Sequence, residues 1–270
     1  MEILELESKA RKIRRSIIKM LDAGRAGHPA GSLSCVEIIT ALFYKILRID
    51  PQNPLWPDRD RFILSKGHAA PALYAVLGDL GFFPEDRFST FYHINSILQA
   101  HPDMTKVPGV EVSTGSLGQG LSVGIGMALG AKLDGKSYRT FVLMGDGELQ
   151  SGQVWEAAMF AGYRRLDNLI AIVDYNKLQL FGWTKDILDI EPLAKKWEAF
   201  NWNVTETDGH DFTKLLSTFT GLEKRKVGGP FLTIAHTTKG KGVSFMENCV
   251  EWHARAMNDE EVAQALAEIG

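Results

Sequence analysis

A glycine-flanked aspartate directly follows an apolar run and could bind a cation beside a phosphate group. The run Thr140–Met144 (TFVLM) continues into Gly145-Asp146-Gly147. A carboxylate at the end of a buried strand can face a metal ion, and flanking glycines let backbone N–H groups approach phosphate oxygens. Taken alone, this short motif also fits a plain turn. Its chemistry therefore depends on which other residues reach the same place.

A second polar residue stands at a corresponding position further along the chain. The apolar run Leu169–Tyr175 (LIAIVDY) ends at Asn176, far enough after Asp146 to leave room for a helix and a strand. In a parallel sheet the ends of both runs emerge at the same edge. A carboxylate, an amide oxygen, a backbone carbonyl and phosphate oxygens together suit Mg²⁺ or Ca²⁺. The two residues are thus predicted to share a metal.

The elements that must position these residues alternate between strand and helix. Apolar runs predict strands, and amphipathic or apolar stretches between them predict helices. We therefore predict an α/β fold, a parallel sheet with helices on both faces, in one domain over residues 1–270. The predicted strands are Arg61–Ser65, Thr140–Met144, Leu169–Tyr175, Asn203–Thr207 and Phe231–Thr237, and the main helices are Ser8–Leu21, Ala70–Leu80, Leu117–Leu133, Val154–Tyr163, Leu193–Phe200, Phe212–Arg225 and Asn258–Gly270.

Two local details of this prediction concern the N-terminal part and the glycine-rich helix. Gly24–Ser32 is predicted to be a loop, and Ser34 with Glu37 is predicted to form a capping box that starts a helix over Val36–Leu47. Gly126 and Gly130 form a GxxxG pair in a chain with no predicted membrane span, so we expect them to allow close backbone packing against another helix or a cofactor.

The two strand ends resemble the thiamine diphosphate motif, and several further segments, in the same order, resemble transketolases. The similarity covers about Ser8 to His253, nearly the whole chain, and several ordered motifs are more specific than any single one. The similar segments are Gly27–Ser34 (GHPAGSLS), Leu64–Ala69 (LSKGHA), Ala100–Pro102 (AHP), Thr114–Gly120 (TGSLGQG), Thr237–Asn248 (TTKGKGVSFMEN) and Trp252-His253.

The resemblance implies a thiamine diphosphate-binding fold and a role for each matching residue. Asp146, Asn176 and the carbonyl of Leu178 would ligate the metal. Gly147 would donate its N–H to the diphosphate, and His68 and His253 would contact the phosphates. Gly115, Ser116 and Leu117 would line the aminopyrimidine and thiazolium rings. His28, His101 and His253 would surround the substrate carbonyl and move protons, work that suits a side chain titrating near neutrality.

Other polar residues receive a structural interpretation. A single histidine beside glycine or proline is usually a hydrogen-bonded loop residue, and His93, His210 and His236 are interpreted in this way. Asp208-Gly209-His210 resembles a recurrent family turn to which no chemistry is assigned. Lys66, Lys239 and Lys241 could steer phosphorylated sugars, but a solvated basic loop is the favoured interpretation of each.

Composition excludes several classes of protein. The chain has 270 residues, a formal net charge of −3 and 45% hydrophobic residues, so no global field favours nucleic acid or an anionic membrane. The apolar stretch Gly115–Ala131 is too short and too rich in glycine for a membrane span, and the acidic N-terminus does not resemble a secretory signal. Two isolated cysteines, Cys35 and Cys249, fit a reducing compartment. We expect a cytoplasmic protein.

The resemblance implies that part of a transketolase is missing from this sequence. Complete transketolases are far longer, and the resemblance implies a second domain with the glutamate that protonates the aminopyrimidine and the arginines that bind the sugar phosphate. Nothing after His253 supplies these residues, and the start at Met1 favours a separately encoded subunit over a fragment. We therefore predict the N-terminal subunit of a two-chain, α2β2 transketolase. With its C-terminal (pyrimidine-domain) partner it would transfer a two-carbon ketol unit between sugar phosphates.

Two alternatives remain open at the level of sequence. The chain could serve another thiamine diphosphate enzyme, such as one like deoxyxylulose phosphate synthase, or it could be an inert scaffold that binds the cofactor. Ser151 motivates the second alternative, because it stands where transketolases usually have a glutamate, whereas Glu156 fits the family. Ala254 and Met257 also depart from a usual glycine and a usual proline. The sequence does not specify the ketose donor, the aldose acceptor or the metal.

Overall fold

A parallel five-stranded sheet forms the centre of the protein. The structure, a computed structural model, describes residues 2–222 and 228–270. All neighbouring strands are parallel, in the order β1-β2-β3-β5-β4. This confirms the predicted fold class, and each observed strand ends within one residue of its prediction. The strands are β1 (Arg61–Leu64), β2 (Thr140–Gly145), β3 (Leu169–Tyr175), β4 (Asn203–Asp208) and β5 (Phe231–His236).

Helices cover both faces of this sheet. The predicted helix end at Arg225 lies outside the described residues. Within the described residues, no helix is both long and apolar enough to cross a bilayer. The α-helices are α1 (Ile3–Gly24), α2 (Pro29–Leu33), α3 (Val36–Ala41), α4 (Ala70–Asp79), α5 (Gly120–Leu133), α6 (Gly152–Tyr163), α7 (Thr184–Ile187), α8 (Leu193–Ala199), α9 (Phe212–Leu222) and α10 (Asp259–Ile269).

Side chains alternate along the strands between two apolar layers, as the pleat of a strand requires. Phe141 and Leu143 of β2 point to a layer shared with α1, α3, α4 and α9. Val142 and Met144 point to the opposite layer, shared with α5, α6 and α8. β3 is buried along its whole length, as expected for a central parallel strand. The carboxyl ends of β2 and β3 therefore meet at one edge of a rigid core.

The segment before α3 differs from the prediction. Part of the predicted loop Gly24–Ser32 is helical, because Pro29 begins α2 at a position where proline's fixed φ suits a helix start. The predicted capping box is wrong. The Ser34 hydroxyl donates to Asp174 Oδ2 at 2.6 Å instead of capping α3, and the N-cap is Cys35, with no side-chain cap. α3 then continues as a π-helical turn over Leu42–Ile46.

The glycines that permit close packing in α5 are not the predicted ones. A Cβ on Gly124 would lie 2.6 Å from Val142 Cγ2, and one on Gly120 would lie 2.3 Å from Ser65 Oγ. By contrast, a Cβ on Gly126 would meet no described atom within 4 Å, and one on Gly130 only Tyr138 Oη at 3.9 Å. Gly126 and Gly130 thus lie on the outer face of the helix and pack closely against no described residue of this chain, so their packing against another helix or a cofactor stays a prediction.

Candidate active site

A cavity of about 220 Å³ opens at the carboxyl ends of β2 and β3. Ligands of parallel α/β sheets bind at this edge because loops and helix starts converge there. The cavity brings together most of the residues singled out in the sequence. Its lining includes His68, Leu117, Asp146, Gly147, Asn176, Leu178 and His253, together with Gly31, Lys66, Gly145, Glu148, Gln179, Leu180 and Lys239.

Asp146 is buried at the end of β2. Its Oδ1 accepts the Gly147 N–H at 2.7 Å, and its Oδ2 accepts the Lys177 N–H and, at 3.3 Å, the Thr184 hydroxyl. Burial and the neighbouring Asp174 carboxylate raise the pKa of Asp146 to about 6. A carboxylate in this setting is stabilised by added positive charge, as a bound cation would provide.

Asn176 and Leu178 lie beside Asp146 on the loop that follows β3. The Asn176 Oδ1 accepts the Leu178 N–H at 3.1 Å, which orients the amide. The carbonyl of Leu178 accepts a hydrogen bond from the Lys239 ammonium at 2.8 Å. One carboxylate, one amide oxygen and one backbone carbonyl thus lie at one edge of the sheet, and each accepts a hydrogen bond within the chain.

These residues fit a divalent cation and a phosphate group. Within the described residues, no three His, Cys, Asp or Glu side chains form an all-protein metal site. A donor set with one carboxylate suits an ion that also takes oxygens from a phosphate-bearing ligand. Two buried polar atoms near the cavity, Gln179 Nε2 and His28 Nδ1, have no hydrogen-bond partner among the described residues. Buried polar atoms normally find partners, so the Gln179 amide nitrogen could donate to such a ligand, and His28 Nδ1 could donate or accept, depending on its tautomer.

Four histidines form a cluster at the cavity. The ring centroid of His28 lies 5.2 Å from that of His68, 5.5 Å from His253 and 6.2 Å from His101. Burial lowers the pKa of all four histidines. His101 and Lys239 lower the pKa of His28 further, and Lys239 and His28 lower the pKa of His253 further. The pKa of His28 is about 4 and that of His253 about 3. At neutral pH these rings are uncharged and each has one N–H donor and one acceptor.

The segment Gly115–Leu117 lies beside this cluster. Leu117 lines the cavity and is partly exposed. Gly115 has φ +152°, and a Cβ there would lie 2.9 Å from His101 Cδ2, so glycine allows the histidine ring its position. Ser116 is exposed and is not part of the cavity lining.

Two lysines of the site were misinterpreted from the sequence. Lys66 and Lys239 are only 1% and 2% exposed, so the prediction of solvated basic loops is wrong for both. Lys66 forms an ion pair with Asp174 and donates to the Gly31 carbonyl at 2.8 Å. Lys239 donates to Leu178 O and His253 Nδ1, each at 2.8 Å. Lys241, in contrast, has a side chain 40% exposed, beside Glu247, and keeps its predicted solvated position.

These lysines bring two ammonium groups to a cavity that is also lined by the carboxyl groups of Asp146 and Glu148. Burial acts to lower the pKa of Lys66, but Asp174 outweighs it and raises that pKa, so Lys66 remains an ammonium. Burial, followed by the Lys66 charge, lowers the pKa of Lys239 to about 8. The Lys239 ammonium, which has no ion-pair partner among the described carboxylates at this site, is the group here that could face an anionic ligand. One feature of the sequence could have predicted the burial of Lys66: Asp174 is a lone carboxylate in an otherwise apolar strand and requires a buried cation as partner.

Glu148 is a further buried carboxyl group that the sequence did not single out. It accepts the Gly118 N–H at 2.7 Å, the Gly145 N–H at 3.1 Å and the Ser65 hydroxyl. Burial raises its pKa. These three donors occupy the carboxyl group, and they tie the end of β1, the end of β2 and the segment before α5 to one point.

Comparison with known proteins identifies the family. The transketolase, thiamine diphosphate binding domain matches residues 7–270. A subunit of the apulose-4-phosphate transketolase from Actinobacillus succinogenes is 46% identical over 98% of this chain and 96% of that protein. A 6-deoxy-6-sulfo-D-fructose transketolase subunit from Clostridium sp. (strain MSTE9) is 43% identical, with the same two shares covered.

Longer transketolases match over less of their own length. The human transketolase is 40% identical over 98% of this chain, which spans 42% of that protein. The solved structure of transketolase from Campylobacter jejuni superposes with a TM-score of 0.93 at 30% identity, covering all of this chain and 43% of that one. The two relatives of matching length described above are named as subunits, which confirms the prediction of an N-terminal transketolase subunit. The chain belongs to the transketolase family, of which it forms the thiamine diphosphate-binding domain.

Proposed function

We propose that this chain holds thiamine diphosphate with a divalent metal and, with a second subunit, transfers a two-carbon ketol unit from a ketose to an aldose. One observation carries this proposal. Asp146 and Asn176 converge at a cavity that also contains two lysine ammonium groups and borders four uncharged histidines. Such a site can bind an anionic cofactor on one side and handle protons on the other.

We assign the metal to Asp146, Asn176 and the Leu178 carbonyl, with Mg²⁺ as the first candidate and Ca²⁺ as the second. Gly147, His68 and His253 are assigned to the diphosphate, and the buried Lys239 adds a cation beside them. In the structure the Gly147 N–H donates to Asp146 Oδ1, so its donation to a phosphate stays a prediction. A Cβ at this position would lie 3.0 Å from Gln179 Cγ, so a larger residue would have to displace the Gln179 side chain.

Thiamine diphosphate, when bound, supplies an electron sink that allows a ketose C–C bond to break. The chain's own residues place the reactants and move protons. Neutral His28 and His101 can donate to a developing alkoxide or accept a hydroxyl proton. His253 accepts from Lys239 at Nδ1, which leaves its proton on Nε2, the atom available to a substrate. Gly115 and Leu117 are assigned to the cofactor rings, as is Ser116.

A second chain must complete the site. Thiamine activation requires a carboxylic acid opposite the aminopyrimidine ring. The carboxyl groups that line the cavity are Asp146 and Glu148. Asp146 is assigned to the metal, and Glu148 is engaged by three donors of its own chain. We propose that the partner is a C-terminal, pyrimidine-domain subunit that supplies this acid and binds the terminal anion of the sugar.

We further propose an α2β2 assembly with two apolar contact surfaces. The outer face, defined as the exposed side of α5 and α6, includes Val123, Gly126, Met159, Phe160 and Tyr163. The site loop, Leu180–Trp183, exposes Leu180, Phe181 and Trp183 next to the cavity. We assign the outer face to a second copy of this chain and the site loop to the partner subunit. Exposed apolar areas of this kind mark protein–protein contacts.

The relatives indicate a class of substrate. They are named for apulose 4-phosphate and for 6-deoxy-6-sulfo-D-fructose, sugars that end in a phosphate or a sulfonate. We propose a ketose with a terminal phosphate or sulfonate as donor and an aldehyde as acceptor, within carbohydrate metabolism such as the pentose phosphate pathway. Because Cys35 and Cys249 are unpaired, we propose a cytoplasmic location.

Reconstitution tests the proposed function. The purified chain is mixed with its pyrimidine-domain subunit, thiamine diphosphate and Mg²⁺, and ketol transfer is measured with phosphorylated and sulfonated ketoses. We expect activity only when all components are present, and chelation of the metal should remove it. Full activity of the single chain, or activity of the pair without thiamine diphosphate, would contradict the proposal.

A further inference from the structure

The Asp208-Gly209-His210 turn packs tightly against the segment that leads into the candidate active site. The Gly209 N–H donates to the His236 carbonyl at 2.8 Å. A Cβ on Gly209 would lie 2.4 Å from Thr237 Cγ2, so this close approach requires glycine. Asp208 Oδ1 accepts the His210 N–H at 2.9 Å and shapes the turn. The motif thus presents the His210 ring to the chain after β5.

The His210 ring is held between a carboxylate and a backbone amide. Its Nδ1 lies 2.9 Å from Glu37 Oε2, and its Nε2 accepts the Thr238 N–H at 2.8 Å. A backbone N–H can only donate, so Nε2 bears the lone pair, and the proton is on Nδ1, where the carboxylate accepts it. The two partners therefore define a single neutral tautomer.

The carboxylate behind this ring is fixed by a buried arginine. Arg14 Nη1 lies 2.6 Å from Glu37 Oε1, and Arg14 Nη2 donates to Glu37 Oε2 at 2.8 Å. Burial acts to raise the pKa of Glu37, but Arg14 and His210 lower it to about 2, so the group stays ionised. Arg14 Nε also donates to the Lys241 carbonyl at 3.0 Å. The Arg14–Glu37–His210 network thus holds the segment at Thr238 and at Lys241.

Lys239 and Gly240 lie between these two anchors, and the Lys239 side chain enters the cavity. Its ammonium donates to Leu178 O and His253 Nδ1, and Thr237, two residues earlier, donates to Asp174. A shift of the Thr238 backbone would move Lys239 relative to the oxygen donors on the β3 side. The network reaches the cavity through this backbone, and none of Arg14, Glu37 and His210 is part of the cavity lining.

We propose that His210 is a positioning residue of the candidate active site. Its neutral imidazole donates from Nδ1 to Glu37 and accepts the Thr238 N–H at Nε2. This hydrogen bond positions the Thr238 backbone and thereby the Lys239 ammonium for an anionic ligand. This inference rests on the proposed function, since the anion is taken to be the cofactor's diphosphate. The Asp208–His210 turn, to which no chemistry was assigned from the sequence, would then contribute to the affinity for the cofactor.

Three variants separate the two hydrogen bonds of the ring. His210→Asn keeps a donor for Glu37 but is too short to reach Thr238. His210→Gln is long enough to offer Thr238 an acceptor, and His210→Leu removes both bonds. His236→Leu is the matched control, because its ring pairs with exposed Glu206. In the two-chain complex we measure the affinity for thiamine diphosphate with Mg²⁺ by calorimetry, and the Thr238 amide protection by hydrogen exchange.

We expect His210→Asn and His210→Leu to weaken thiamine diphosphate binding by about tenfold, the effect of one lost buried hydrogen bond, and to speed Thr238 exchange. His210→Gln should restore most of both, and His236→Leu should change neither. If His210→Leu fails to fold, His210→Asn decides, because Glu37 keeps its donor. Wild-type affinity in His210→Asn, or unchanged Thr238 protection, would overturn the inference. Absence of cofactor uptake by the wild-type complex would overturn the proposed function and this inference with it.

Discussion

Lys66 and Asp174 form an ion pair inside the protein, beneath the cavity at the ends of β2 and β3. The two side chains come from β-strand ends more than 100 positions apart in the sequence, and both are excluded from water. Asp174 also accepts hydrogen bonds from Ser34 and Thr237. The pair therefore connects four segments that surround the cavity, and its removal is expected to affect the whole domain.

Replacement of one member of this pair should be strongly destabilising. Asp174→Asn leaves the Lys66 ammonium buried without its counter-charge, and we expect the free energy of unfolding to fall by about 3 kcal/mol. Addition of Lys66→Met should recover part of this loss, because the uncompensated charge is then removed. Urea denaturation measures both. Asp167→Asn, which breaks the exposed pair with Lys132, serves as the control and should change stability by less than about 0.5 kcal/mol.

Replacement of the metal-site carboxylate should abolish metal-dependent cofactor binding. In the reconstituted pair we expect Asp146→Ala to weaken the uptake of Mg²⁺ with thiamine diphosphate by more than about 100-fold, since loss of even an outer-shell partner costs about 10–100-fold. Ketol transfer should fall with it. Asp134→Ala, at the exposed end of α5, is the control. Unchanged turnover in Asp146→Ala would favour the alternative of a scaffold subunit that performs no chemistry.

Acid should destabilise the protein through Glu37. The pKa of this group is about 2 in the folded protein, against an ordinary value of 4.5. Because the folded pKa is depressed, the stabilisation is present above pH 4.5 and is lost as the pH falls toward 2. We expect it to amount to about 3 kcal/mol. Urea denaturation between about pH 6 and pH 2.5 should show a shallower pH dependence in Glu37→Gln than in the wild type.

The control for this experiment is Glu85→Gln, which removes a carboxylate that is well exposed beside Lys12. Its pH dependence should match that of the wild type. The comparison isolates Glu37 from the other carboxylates that titrate in acid. Parallel curves for wild type and Glu37→Gln would show that the Arg14–Glu37–His210 network contributes nothing that depends on ionisation.

The outer face of α5 and α6 should respond to a bulky residue. Gly126→Trp meets no described atom within 4 Å of its Cβ, so the chain itself can accept it, but a second copy packed on this face cannot. We expect sedimentation velocity to show the reconstituted complex falling from two copies of each chain to one. Lys214→Trp on α9, whose apolar side packs on the opposite layer, should leave the assembly intact. An intact α2β2 complex with Gly126→Trp would contradict the assigned contact.

The strands could be predicted from the sequence because their apolar residues determine them locally. LIAIVDY at β3 is buried on both faces in the structure, and such runs have few alternatives when turn-forming residues, here Asp167, Asn168 and Asn176, bound them. The convergence of Asp146 and Asn176 followed from the parallel topology. The prediction that these two residues converge required only that β2 and β3, which are consecutive in the sequence, be neighbours in the sheet, as they are.

The residues that the sequence could not place depend on contacts between distant segments. Ser34 and Glu37 have the spacing of a capping box, but the Ser34 hydroxyl donates to Asp174 and the Glu37 carboxylate pairs with Arg14, so neither caps the start of α3. Lys66 and Lys239 were interpreted as solvated because lysine usually is. Their burial becomes predictable only when Asp174 and the loop carbonyl of Leu178 are known to face them.

We expect the exposed apolar residues of the site loop to affect how free copies of this chain behave in the cell. Phe181 is 85% exposed, and Leu180 and Trp183 stand beside it. Free chains in excess of the partner would expose this apolar segment to solvent, and exposed apolar patches promote aggregation. With the site loop assigned to the partner subunit, we expect synthesis of the two subunits in matched amounts to limit aggregation of free chains.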